Sequence, residues 1–119
     1  PPAPAAPVAY DYLAGLARIS TAVLAQAGPC LLENAPLHLE EMKRCAASGD
    51  SMRLRREAHA MTSLLASLMA LPAMQLAARI DRSVGADCRF DARQLIDDLE
   101  CEVRSLSVVV ATTVAGSMP

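Results

Sequence analysis

The sequence predicts an all-α protein, an antiparallel four-helix bundle with an additional N-terminal helix. Three observations carry that expectation. The composition is 53% hydrophobic but only 3% aromatic, and it is rich in Ala, Leu, Met, Glu and Arg, the residues that lose least on entering a helix. Apolar residues recur at steps of three and four, the period of an amphipathic helix. No stretch shows a strand pattern. With 119 residues, the chain has room for one domain with a modest core.

The elements follow in order. Residues 1–7, PPAPAAP, read as a Pro/Ala-rich linker, because four prolines in seven residues favour an extended, semi-rigid spacer. The helical domain is expected over residues 8–116. Its first helix starts near Val8, with Tyr12, Leu13, Leu16, Ile19, Val23 and Leu24 roughly on one face, and Gly28-Pro29 should end it. The second carries Leu32, Ala35, Leu39, Met42 and Ala46, spaced 3, 4, 3 and 4. Pro36 inside it should kink it or delay its start. Ser48-Gly49-Asp50 closes it and offers Asp50 or Ser51 as the next N-cap.

The third helix is expected from Ser51 to Met69. Pro72 breaks it and opens a fourth, with Ala73, Leu76, Ile80 and Val84. Gly85-Ala86-Asp87 reads as a loop. The fifth starts near Asp91 and has the clearest stripe: Leu95, Leu99, Val103, Leu106, Val110 and Val114 are spaced 4, 4, 3, 4 and 4. Gly116 is its expected stop. Short loops between such helices favour an up-and-down order.

Charge and hydropathy narrow the function. A formal charge of −2 supplies no basic face of the kind nucleic acid selects. No apolar run reaches the roughly 18 residues of a membrane span, so no direct membrane contact is expected. The N-terminus lacks the basic region of a signal peptide and begins without Met, as expected of a piece of a longer chain. Cys30, Cys45, Cys88 and Cys101 are spaced 15, 43 and 13, which matches no metal-binding pattern. They are expected to be reduced, mostly semi-buried cytosolic thiols.

Residues 56–68, REAHAMTSLLASL, hold the chemistry. A helix turns about 100° per residue. With His59 at zero, Leu54, Ala58, Met61, Leu65 and Leu68 fall between roughly 180° and 260° and form the core stripe. His59 then faces solvent, among Met52, Arg55, Arg56, Thr62, Ser63, Ala66 and Ala70. Arginines lie one turn before it, and only short side chains follow. At neutral pH an exposed imidazole is mostly uncharged and keeps a nitrogen lone pair. That nitrogen is a good nucleophile for phosphorus, and guanidinium or hydroxyl donors nearby would hold phosphoryl oxygens. A metal role is disfavoured, because no His, Cys or acidic residue stands three or four positions after His59. His38, in PLHLEEM, is off the stripe of its own helix and is expected to be solvated. The acidic side of the fifth helix, with Asp97, Asp98, Glu100 and Glu102, is read as solvation.

From about Leu32 to Glu100 the chain resembles the histidine-containing phosphotransfer (HPt) domain family. The resemblance rests on Ala58-His59-Ala60-Met61-Thr62-Ser63-Leu64 followed by Leu68-Met69-Ala70, and on the approach LENAPLHLEEMKRCAASGDSMRLRREAH. It implies a four-helix bundle plus an N-terminal helix with His59 as phosphoacceptor. The family usually has Lys three residues after the histidine and Gly four after, where this chain has Thr62 and Ser63; the Gly expected near Met69 is also absent. Thr62 keeps a hydroxyl, Ser63 keeps the surface low, and Arg55 or Arg56 would supply the missing charge. Met52, Ala66 and Ala70 would complete a receiver-docking surface.

The resemblance further implies a phosphorelay carrier, not an independent enzyme. Its partners would be the receiver domain of a hybrid sensor kinase and a response regulator, with Mg²⁺ on the receiver and no cofactor of its own. The leading linker fits a cytoplasmic domain at the C-terminus of a membrane-bound sensor. Two other readings stand beside it: a docking module that carries no phosphate, and a helical scaffold or dimerisation domain.

Overall fold

A computed structural model describes residues 10–84 and 92–117. The linker at 1–7, Val8, the 85–87 loop, Cys88 and Asp91 lie outside the described residues. The described residues form the helices α1 (Tyr12–Leu16), α2 (Thr21–Ser48), α3 (Ser51–Ser67), α4 (Leu71–Val84) and α5 (Ala92–Ser117). No strand occurs among them, so the protein is all-α. None of these helices is long and apolar enough to cross a membrane.

The first expected helix is in fact two. Asp11 accepts a hydrogen bond from the Ala14 N–H and caps α1, and Ser20 accepts one from Val23 and caps α2. Two side-chain caps replace the single start read from the apolar spacing. Leu13 and Val23, expected on the buried face, are 57% and 39% exposed.

Gly28-Pro29 does not end a helix. Helix α2 runs through both Pro29 and Pro36. Each proline removes one intrahelical hydrogen bond, to the carbonyls of Ala25 and Leu32, at a cost of about 3 kcal/mol. Burial offsets this. Leu31 and Met42 are fully covered and Leu39 nearly so, and each such side chain contributes about 1.5–3 kcal/mol. Gly28 serves packing instead of a break. A Cβ there would come within 3.1 Å of Val114 Cγ2 and 3.3 Å of Val110 Cγ1 on α5.

Helix α2 packs on α3 and α5, and α4 also packs on α3 and α5. The α3–α4 edge therefore lies across the core from the α2–α5 edge. Met61, Leu65 and Leu68 from α3 and its cap, Ile80 from α4, and Ile96, Leu99, Leu106 and Val110 from α5 fill the interior. The stripes expected for the third and fifth helices are buried as read; Val114 is partly buried. Helix α5 runs one residue past the expected Gly116 stop.

Two turns close in the same way. After α2, Gly49 adopts φ 78° and the Asp50 N–H reaches the Cys45 carbonyl. Asp50 then caps α3 by accepting from the Arg53 N–H. After α3, Met69 adopts φ 54° while the Met69 and Ala70 N–H groups reach the Ala66 and Leu65 carbonyls. Both are Schellman closures. The second ends α3 at Ser67 instead of the expected Met69, before Pro72 is reached. Its left-handed residue is a methionine, held by the docking of the N-terminal segment. The Tyr10 hydroxyl donates to the Met69 carbonyl at 2.7 Å. Gly15 allows that approach, since a Cβ there would lie 3.0 Å from the same oxygen.

Helix α1 packs on α5, where the Tyr12 hydroxyl donates to Glu102 Oε2 at 2.6 Å. Burial, and then the hydrogen bond to that carboxylate, push the Tyr12 phenol well above its ordinary range. Glu100, also read as solvated, accepts from Lys43 Nζ of α2 at 2.7 Å. The described thiols are all free: Cys45 is buried, whereas Cys30 and Cys101 are exposed instead of semi-buried. Burial pushes the Cys45 thiol up.

Two expectations follow from this packing. Gly28→Val should separate α2 from α5 and lower stability by about 1–3 kcal/mol, the usual range for overpacking, measured by urea unfolding. The Lys43–Glu100 bridge should stabilise the fold only where both groups are charged. Lys43 holds the Glu100 carboxyl below its usual range, and Glu100 raises the Lys43 ammonium. The Glu100 share is present above the ordinary carboxylate range and is lost as pH falls through its lowered value. The Lys43 share is present below the ordinary lysine range and is lost as pH rises through its raised value. Half-exposed, the bridge is worth less than about 1 kcal/mol. The stability difference between the native chain and Lys43→Met should be largest between the ordinary carboxylate and lysine ranges, shrink as pH falls through the lowered Glu100 value, and shrink again as pH rises through the raised Lys43 value, measured by urea unfolding across pH.

Candidate functional site

Helix α3 buries Leu54, Ala58, Met61 and Leu65. That orientation turns His59 outward, and its side chain is 75% exposed. Met52 is 77% exposed. Arg55, Arg56, Ser63 and Ala66 share the exposed surface. Met52, Arg55, Arg56 and His59 line one open depression of about 370 Å³ together with Asp81 of α4.

Asp81 is the residue that sequence reasoning missed. The expected absence of an acidic neighbour considered only α3 itself. Helix α4 brings the carboxylate in from the side. Asp81 Oδ2 lies 3.5 Å from His59 Nδ1, and Oδ1 lies 3.3 Å from Arg55 Nε. One carboxylate thus spans the histidine and an arginine. The Asp81 side chain is 25% exposed, far less than the imidazole it faces. A carboxylate beside Nδ1 favours the tautomer with the proton there and leaves the lone pair on Nε2. Arg56 lines the same depression and forms no ion pair among the described residues.

Two expected site residues are placed differently. The Thr62 hydroxyl donates to the Ala58 carbonyl of its own helix at 2.8 Å. Its proton is therefore engaged, which leaves the oxygen only as an acceptor. Ala70 is fully buried and cannot form part of a docking surface. The helical angle placed it outside, but α3 has already ended at Ser67. Past the Schellman turn, the Ala70 carbonyl accepts from the Met74 N–H and opens α4.

His38 also differs from expectation. Its side chain is 29% exposed, and Nδ1 lies 2.5 Å from Glu57 Oε2. Glu41 on α2 pairs with Arg53 on α3 at 2.9 Å beside it. These polar contacts tie α2 to α3 on the flank away from Asp81. Among the described residues, no group of three or more His, Cys, Asp or Glu is arranged to hold a metal ion.

No family model matches the sequence, and neither a curated protein nor a solved structure matches it. The functional reading therefore rests on the residues around His59.

Proposed function

We propose that this protein is an HPt-type phosphorelay domain in which His59 carries the phosphoryl group. One observation supports the reading most: an exposed imidazole with a carboxylate at Nδ1 and arginines beside it, on a helix anchored by its opposite face. Helices α2 to α5 would form the antiparallel four-helix bundle of that family, with α1 as the additional N-terminal helix.

The chemistry balances as follows. The Nε2 lone pair of neutral His59 attacks the phosphorus of an aspartyl phosphate on a receiver domain. A P–N bond forms, the P–O bond to the receiver's aspartate breaks, and that carboxylate leaves with the electron pair. The ring becomes a cation, still protonated at Nδ1, and Asp81 offsets that charge. Arg56, with Arg55 when it turns from Asp81, would face the phosphoryl oxygens. The reverse step delivers the group to the aspartate of a response regulator. The receiver contributes Mg²⁺; this domain contributes the nucleophile, its orientation and the surface of Met52, Ser63 and Ala66. The setting is the cytoplasmic side of a hybrid sensor kinase, with the linker at 1–7 tethering the domain near its receiver. Such a tether gives effective concentrations on the order of millimolar.

The engaged Thr62 hydroxyl favours a second reading, a docking module that binds a receiver without accepting phosphate. The deciding experiment is incubation with a phosphorylated receiver, comparing the native chain with His59→Gln. Acid-labile, alkali-stable label on the native chain alone is the expected result. Absence of label from several receivers, with helicity intact, would overturn the relay and leave the docking module. Asp81→Asn tests the carboxylate. It should slow phosphoryl uptake by roughly 10-fold to 100-fold, by analogy with carboxylates that orient metal-bound histidines, while receiver binding measured by calorimetry stays the same.

A further inference from the structure

A second depression lies on the other side of the core from His59. It runs between α2 and α5 and measures about 630 Å³. Leu39 and Val103 form its floor, both nearly buried. Pro36 and Val108 edge it, and Val108 is 68% exposed. Exposing a β-branched side chain next to a groove with an apolar floor leaves both a projection and a recess on the same face.

The charges on the two walls differ in sign and in how they are satisfied. Lys43 and Glu100 bridge across at 2.7 Å. Glu40 of α2 lines the groove and forms no ion pair among the described residues; its field helps raise the Lys43 ammonium. Arg104 of α5 is 75% exposed and reaches only its own-helix neighbour Glu100, at 3.5 Å. The face thus offers one available acid on α2 and one available base on α5, with no net charge across these four residues.

We infer that this face self-associates, with a second copy of the chain related by a two-fold axis. An isologous interface requires that one surface carry both halves of every contact. This one does. Val108 of each copy would enter the groove of the other. Glu40 of each copy would meet the partner subunit's Arg104, so that one kind of ion pair forms twice around an apolar centre. The α3–α4 edge stays open in such a pair, with both His59 side chains accessible. The inference does not depend on phosphotransfer, because it uses none of the residues around His59.

The test is sedimentation equilibrium of the full 119-residue chain over a wide concentration range, with helicity checked by circular dichroism. A concentration-dependent monomer–dimer equilibrium is expected. Val108→Glu and Arg104→Glu should each weaken it by about tenfold or more. Combining Glu40→Arg with Arg104→Glu should restore association, because the exchanged charges again meet across the axis. A monomer at every concentration would overturn the inference. So would a dimer that ignores Val108→Glu, or a double exchange no better than Arg104→Glu alone. Labelling of His59 should be the same in all these variants, which separates this result from the relay.

Discussion

The register of α3 is the constraint on which the rest depends. Leu54, Ala58, Met61 and Leu65 must be buried together, and α2 and α4 close over them from both sides. Once that stripe is fixed, every other position on α3 is fixed with it. His59 must face outward, Glu57 must turn toward α2, and Arg55 must turn toward α4. Burying one Leu stabilises by about 1.5–3 kcal/mol, whereas a surface ion pair contributes below about 1 kcal/mol. The apolar stripe therefore sets the rotation of the helix, and the polar contacts on its flanks follow from it. An imidazole carried this way is positioned by packing it takes no part in.

This division explains what the sequence could and could not reveal. The stripes of α3 and α5 were legible because each obeys one local rule, the helical period, and tertiary packing agrees with it. The Asp50 cap was legible for the same reason. Helix α2 was misread at Gly28, Pro29 and Pro36. The local cost of a proline is visible in sequence, but the burial of Leu31, Leu39 and Met42 that outweighs it is not. Gly28 reads as a breaker until Val110 and Val114 of α5 are placed against it. Ala70 was misplaced because a helical angle was carried past the end of the helix.

Asp81 belongs to a different category of omission. Its own position on α4 gives no sign of a role, since an acid on an exposed helix face is ordinary. Its place beside the histidine arises only when α3 and α4 pack side by side, after which a single carboxylate lies near both His59 and Arg55. Spacing arguments along one helix cannot find such a residue. The same holds for Glu57 opposite His38, where a histidine expected in solvent is half-buried against an acid of the next helix. Both histidines have a carboxylate near Nδ1, yet they differ in exposure. His38 faces Glu57 of α3 and its side chain is 29% exposed. His59 keeps three-quarters of its side chain exposed.

For the proposed phosphotransfer, exposure separates the two carboxylate–imidazole pairs. A nucleophile needs one nitrogen oriented and the other open to the partner, and a pair closed between two helices meets only the first need. At His59 the orienting group comes from the side and the approach stays clear, because Ser63 and Ala66 are small and α3 ends soon after at Ser67. The position of Arg55 adds a further consequence. While it is paired with Asp81, it lowers the negative charge felt by the imidazole. In the proposed relay it would swing to the incoming phosphoryl group, and the full carboxylate charge would then face the ring as it became cationic. The Arg55–Asp81 pair at 3.3 Å would thus keep a guanidinium within reach of His59 and free a carboxylate once that guanidinium turned to the phosphoryl group.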